Sequence, residues 1–148
     1  RVVARKSMFV PFLKAKQISA EERNVPMNEM KFEVYPEGIY KVIKQFSKYD
    51  IKNIIITENG VCYKDVVLGN RVHDSIRISF FETYLEQVLK AKNEGAPVNG
   101  YFVWSLTDNF EWSEGYEPRF GLIHVDFRTQ KRTIKDSGYW FKDFLRIE

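Results

Sequence analysis

The chain has 148 residues, 44% of them hydrophobic and 16% aromatic, with a net charge of +3 at pH 7. This composition indicates a folded protein with a substantial core and excludes a disordered class. Acids and bases are interspersed, and no apolar run approaches the ~18 residues of a membrane span. We therefore expect no nucleic acid and no membrane as partner, and a neutral or weakly charged ligand.

Cys62 is the single cysteine, so no internal disulfide and no cysteine metal cluster is expected. A reducing compartment, the cytoplasm, is the default expectation. The chain begins at Arg1 rather than Met, so its natural beginning is predicted to be missing or processed. His73 and His124 lie outside any metal-ligand spacing and are interpreted as packing or surface residues. Neither a metal nor a cofactor is expected.

Residues 1–31, which include Pro11 and Pro26, are predicted to form a loop-rich lead-in without a motif. A first helix follows, opened by Pro36 and ended before Asp50. The apolar residues that recur at helical spacing and predict this helix are Ile39, Val42, Ile43 and Phe46.

Residues 54–60 read Ile-Ile-Ile-Thr-Glu-Asn-Gly and predict a strand buried on both faces that delivers Glu58 into a turn. In (β/α)8 barrels the active site forms at the carboxyl ends of the strands, which makes Glu58 a candidate catalytic acid. The alternative is a strand-terminal glutamate that caps a neighbouring helix or faces water.

After a polar loop through Gly69, Asp74 is placed to cap a second helix, which ends before Gly95. The apolar stripe of this helix is predicted to comprise Ile78, Phe81, Leu85, Val88 and Leu89. A strand at 101–104 and a long loop follow. The last helix is predicted from about Asp136 to Leu145, with its inward residues being Trp140, Phe141, Phe144 and Leu145.

This alternation of helices and strands implies parallel strands with helices packed outside them. Two strands alone leave two open edges, so we expect a partner segment or self-association. A complete (β/α)8 barrel needs ~250 residues, which leaves either a smaller fold or part of a barrel.

A second cluster of chemical groups follows the strand at 101–104, where Trp104, Glu111 and Trp112 lie within one turn-rich segment. An indole face suits the apolar face of a sugar ring, and the carboxylate and indole N–H suit its hydroxyls. The alternative is that both tryptophans are core residues and Glu111 is an exposed loop residue.

Together these motifs resemble glycoside hydrolase family 1, the β-glucosidase family of retaining (β/α)8-barrel enzymes. Thr-Glu-Asn-Gly at 57–60 resembles the nucleophile motif on its seventh strand. Residues 100–112 resemble its eighth strand and glycone-binding loop, and 33–38, 119–122 and 125–126 also fit the family. The resemblance covers roughly Phe32 to Leu145. It implies an α/β fold in which 1–148 is a single segment, the C-terminal portion of the barrel (strands seven and eight with flanking helices), with 32–148 family-like.

The resemblance also implies a role for each site residue. Glu58 would be the nucleophile that forms a covalent glycosyl-enzyme intermediate. Trp104 would stack on the sugar, Glu111 would bind its O4 and O6 hydroxyls, and Trp112 would donate to O3. Phe120 would line the pocket beside them. Because Glu111 would repel a phosphate, unphosphorylated β-glycosides are the expected substrates. Glucosides, galactosides and fucosides all remain open, as does the aglycone.

The sequence departs from the family in lacking the Asn-Glu-Pro motif that carries the acid/base carboxyl; Asn28 and Glu29 are followed by Met30. A retaining glycosidase needs that second carboxyl group ~5 Å from the nucleophile. We therefore expect the chain to begin after strand six, to be catalytically inactive alone, and to need an N-terminal fragment of the same barrel as partner. The rival hypotheses are a non-catalytic carbohydrate-binding or assembly module and an inherited scaffold with no site chemistry.

Overall fold

The computed structural model describes residues 3–7 and 14–146 of the chain. The strands are β1 (Ala4–Lys6), β2 (Ala15–Gln17), β3 (Ile54–Asn59), β4 (Val66–Leu68), β5 (Arg71–His73), β6 (Val98–Val103), β7 (Ile123–Val125) and β8 (Arg132–Ile134). The helices are α1 (Pro36–Phe46), α2 (Ser75–Asn93) and α3 (Asp136–Phe144), with a 3-10 turn at Trp112–Glu114. Among the described helices, none is both long and apolar enough to cross a membrane.

Helix α1 begins at Pro36 as predicted, because proline lacks the N–H that a first helical residue leaves unpaired. Its buried stripe is narrower than the periodicity indicated. Ile43 is buried and Ile39 packs against the core, whereas the side chains of Val42 and Phe46 are about half exposed. Of the four residues at helical spacing, two are therefore packed in the core of this chain and two are not.

Helix α2 packs along α1 and carries most of the core. The prediction that the Asp74 side chain caps it is wrong: Asp74 occupies the N-cap position, but its carboxylate accepts hydrogen bonds from Arg77 and Ser137. Leu89, near the C-terminal end of α2, and Leu145, which follows α3, were predicted to face inward and are exposed.

Strands β3 and β6 pair in parallel, as predicted from the helix that separates them. The prediction that β3 is buried on both faces is wrong for this chain, because Ile55 is 53% exposed. Phe102 on β6 is 60% exposed. Within the described residues this sheet has two strands and therefore two unpaired edges.

Within the described residues, three antiparallel strand pairs add to the predicted elements. The pairs are β1 with β2, β4 with β5, and β7 with β8. The polar loop predicted around Gly69 is therefore the turn of the β4–β5 hairpin, with Gly69 at a φ of +60°. The lead-in prediction is tested only in part, because Pro11 lies outside the described residues.

Two adjoining groups of buried side chains form the core under the β3–β6 pair. The larger group joins α2 to α3 and contains Phe80, Phe81, Tyr84 and Leu85. The smaller group joins α1, α2 and the start of β6, around Ile43, Val88 and Val98. The described residues thus form an α/β arrangement without a closed barrel, whose helices hold the two parallel strands and fix where they end.

Candidate active site

The parallel pairing of β3 and β6 places their carboxyl ends side by side. Asn59 is the register partner of Val103, and the Trp104 N–H donates to the Asn59 carbonyl at 2.9 Å. Glu58 precedes Asn59 and Trp104 follows Val103, so the two predicted motifs meet at one edge of the sheet.

Gly60 allows this close approach. A Cβ atom at position 60 would lie 1.6 Å from the Trp104 carbonyl oxygen, a distance that no side chain can adopt. The glycine of the Thr-Glu-Asn-Gly motif is therefore needed because the backbones of the two strand ends touch.

Glu58 is exposed at the end of β3, and within the described part of the chain nothing donates a hydrogen bond to its carboxylate. Its neighbour Asn59 is fixed by the Tyr101 hydroxyl, which donates to Asn59 Oδ1 at 2.7 Å. Burial raises the pKa of Tyr101, so this hydroxyl keeps its proton. The Glu58 carboxylate thus stands on a rigid strand end and faces open space.

Trp104 and Glu111 are in direct contact. The indole Nε1–H of Trp104 donates to Glu111 Oε1 at 3.2 Å, and the Glu111 N–H donates to the Gly115 carbonyl at 2.7 Å. The Trp104–Ser105 peptide bond is cis. The structure therefore brings two of the predicted sugar-binding residues into one unit.

The two other predicted residues lie on the same loop in contrasting surroundings. Trp112 is 83% exposed and begins the 3-10 turn with a φ of +50°. Phe120 is buried, and its carbonyl accepts the Ser105 N–H at 3.4 Å. The indole of Trp112 is thus exposed, while the Phe120 side chain is buried.

The sequence interpretation missed a group of buried charges beneath the site. Arg77 and Lys135 have fully buried side chains, as does Asp108, and the Asp65 side chain is 3% exposed. One signal was available for Arg77, which lies on the same face of α2 as Phe81 and Tyr84. A cation on a buried stripe requires buried partners.

His124 was interpreted as a packing or surface residue from its spacing, and the tertiary structure places it beside two carboxylates. Donor atoms of His124, Asp65 and Asp108 all lie within 4.8 Å of one another, an arrangement that could hold a metal ion. The Lys135 ammonium already lies 2.7 Å from Asp65 Oδ2 and 2.9 Å from Asp108 Oδ1. The carboxylates are thus paired with a cation of the chain itself. Burial lowers the pKa of His124, which favours the neutral imidazole.

The fold is that of an α/β protein whose candidate active site lies where two parallel strands end. The family model for glycosyl hydrolase family 1 matches residues 4–148. The chain belongs to this family.

Relatives with two kinds of name match this chain. A 1,4-beta-D-glucan glucohydrolase of Thermotoga neapolitana is 49% identical over 132 residues, which cover 88% of this chain and 30% of the relative. A 6-phospho-beta-galactosidase of Leptotrichia buccalis is 47% identical and covers 80% of this chain and 26% of the relative. The solved family 1 b-glucosidase of Thermotoga maritima superposes with a TM-score of 0.87 at 44% identity, over 98% of this chain and 32% of that one. The chain therefore spans about a third or less of these relatives' length.

Proposed function

We propose that this chain forms the seventh and eighth strands of a (β/α)8 barrel and carries the nucleophile and glycone-binding groups of a retaining β-glycosidase. The observation that carries the proposal is the parallel pairing of β3 and β6, which sets Glu58 beside the Trp104–Glu111 pair at one end of the sheet. Active sites of such barrels lie at that end of the strands.

In this mechanism, Glu58 attacks the anomeric carbon and forms a glycosyl-enzyme ester, which water then hydrolyses. The exposed carboxylate at the end of a fixed strand is suited to that attack. Trp104 stacks on the sugar, Glu111 accepts from its O4 and O6 hydroxyls, and Trp112 donates to O3. Phe120, which is buried, lines the pocket beside them.

A second carboxyl group must protonate the leaving oxygen ~5 Å from the nucleophile. Glu111 is engaged with Trp104 and is assigned to the sugar hydroxyls, so residues outside this sequence supply the acid/base group and the remaining strands. Ile55 and Phe102 are half exposed, on a sheet whose two edges are unpaired within the part of the chain that the structure describes, and this supports the assignment. Apolar strand residues of this kind are normally covered by neighbouring strands or helices.

Unphosphorylated glycosides are the proposed substrates. The relatives carry both glucosidase and 6-phospho-galactosidase names, so similarity does not separate the two classes. Glu111 does, because a carboxylate that binds O6 would repel a phosphate attached there. A kcat/KM comparison of 4-nitrophenyl β-D-glucoside with its 6-phosphate tests this point. Preference for the phosphorylated substrate would refute it.

The nucleophile is tested in the complete polypeptide that contains this sequence. Glu58→Gln should lower hydrolysis of 4-nitrophenyl β-D-glucoside by about a thousandfold or more while sugar binding persists. The matched control is Glu37→Gln in the first turn of α1, which should leave turnover unchanged. Turnover retained in Glu58→Gln would remove Glu58 from this role.

Covalent labelling distinguishes the enzyme from a carbohydrate-binding module. Incubation with 2-deoxy-2-fluoro-β-D-glucosyl fluoride followed by peptide mass analysis should place one fluoroglucosyl group on Glu58. Sugar binding without an adduct and without turnover would instead favour the binding module. Native mass spectrometry of this 148-residue chain then shows whether a larger fragment assembles with it.

A further inference from the structure

Two buried cations join the loops that carry the proposed catalytic groups. The β3–β4 loop, residues 60–65, follows Glu58, and the β6–β7 loop, residues 104–122, contains Trp104 and Glu111. Arg77 donates to carbonyl oxygens of both loops, to Tyr63 at 3.3 Å and to Arg119 at 2.6 Å. It also forms an ion pair with Asp65 at 3.0 Å.

Lys135 makes the second connection and belongs to neither loop, since it lies between β8 and α3. Its Nζ is 2.7 Å from Asp65 Oδ2 in the β3–β4 loop and donates to Asp108 Oδ1 at 2.9 Å in the β6–β7 loop. The contact with Asp65 is an ion pair between two buried side chains. A single ammonium group thus bridges one carboxylate of each loop.

Asp108 links the Lys135 bridge to the backbone around the β6–β7 loop, which holds the proposed sugar-binding groups. Besides Lys135, its carboxylate accepts hydrogen bonds from the backbone N–H of Gly121 at 2.9 Å and of Val125 at 3.3 Å, and from Arg119 at 3.2 Å. Asp108 is three residues before Glu111 in the same loop. A displacement of Asp108 is therefore transmitted to Glu111 over a short stretch of backbone.

The charges of this group are balanced. Three cations face three carboxylates: Arg77, Lys135 and Arg119 against Asp65, Asp74 and Asp108. Burial lowers the pKa of Lys135, with the nearby Arg77 charge acting in the same direction. Buried ion pairs bring little net stability but have narrow geometric requirements. Such a group is suited to setting the distance between two loops.

We propose that Lys135 is a positioning residue that sets the register between Glu58 and Glu111, and so determines how strongly the enzyme selects sugars bearing a C6 hydroxymethyl group. This inference rests on the proposed function. A glycoside held by Glu111 reaches Glu58 correctly only if the two loops keep their spacing, and a misplacement of about 1 Å costs about a hundredfold in rate.

The test compares two substrates in the complete polypeptide. 4-Nitrophenyl β-D-glucoside carries the C6 hydroxymethyl group, and 4-nitrophenyl β-D-xyloside lacks it. Lys135→Met should lower the ratio of their kcat/KM values about tenfold or more, because the glucoside loses a contact that the xyloside never makes. The matched control, Lys142→Met in the last turn of α3, should leave the ratio unchanged.

The ratio separates positioning from loss of folded protein, since a smaller active fraction lowers both rates equally. Equal losses on both substrates would overturn the proposal. If Lys135→Met does not fold, Asp65→Asn removes the other end of the bridge and is judged by the same ratio. A wild-type protein without activity, or an active Glu58→Gln variant, would refute the proposed function instead, so the two failures are distinguishable.

Discussion

The buried carboxylate of Asp108, in the β6–β7 loop, has four partners. Two are backbone N–H groups, of Gly121 and Val125, and two are the cations of Arg119 and Lys135. Asp108→Ala removes all four interactions at once. It leaves a buried ammonium without one of its two carboxylates and two backbone donors without an acceptor.

The expected cost follows from these contacts. Removing one partner of a buried ion pair costs about 3 to 5 kcal/mol of stability. Backbone N–H groups left without an acceptor raise the cost toward the upper end of that range. If the loop opens locally, the free energy of opening should fall by the same amount, and the equilibrium constant for opening should rise accordingly. At 1.4 kcal/mol per factor of ten, that corresponds to about a hundredfold to a few thousandfold.

Hydrogen exchange followed by mass spectrometry measures this opening in peptides that cover 119–126. Under conditions where closing is faster than chemical exchange, amide exchange there should accelerate by that factor in Asp108→Ala. A peptide covering α1 should exchange at the wild-type rate. Asp50→Ala, which removes a carboxylate that is 92% exposed, is the control and should change neither peptide. Unchanged exchange at 119–126 in Asp108→Ala would refute the assigned role of the carboxylate.

Three further outcomes are expected. Phe81→Ala should destabilise the protein by about 3 to 5 kcal/mol in urea unfolding, because the side chain is fully buried, whereas Tyr49→Ala at an exposed site should have little effect. Burial lowers the pKa of His124, so as the pH falls from 7 to 5 the unfolded state binds a proton more readily than the folded state, and the protein loses stability. The His124→Gln variant should lose less stability than the wild type over that pH range. An identical loss in both proteins would contradict the argument. Burial raises the pKa of the Cys62 thiol, so it should react with a disulfide reagent at pH 8 only after unfolding, and rapid reaction of the native protein would show that the thiol is accessible.

Local sequence signals were sufficient for the elements that carry the site. Pro36 at the start of α1 and the apolar run before Glu58 act over a few residues, and α1 and β3 lie where these signals predicted them. The strand predicted at 101–104 spans Val98–Val103 instead. The helix between the two strands required a parallel pairing, which placed Glu58 and Trp104 at the same end of the sheet. The roles of the site residues came from the family resemblance and stay predictions.

Tertiary structure decided which side chains are buried and which charges meet. Ile55 lies in the apolar run that predicted a fully buried strand, yet it is half exposed because the described residues place nothing over that face. Asp74 carries the sequence signal of a helix cap, but Arg77 and Ser137 compete for its carboxylate and bind it instead. The role of the Asp74 carboxylate therefore depended on Ser137, a partner far along the chain.

The bridge through Lys135 illustrates the same limit. In the sequence Lys135 is a single lysine before a helix, with nothing to mark it as fully buried. Its partners Asp65 and Asp108 come from two separate loops, and ion pairing between distant residues leaves no periodicity in a sequence. The sequence therefore determined the elements and the ends of the strands, because those depend on neighbouring residues. The bridge between the two loops was decided only when folding brought the Lys135 ammonium within 3 Å of both carboxylates.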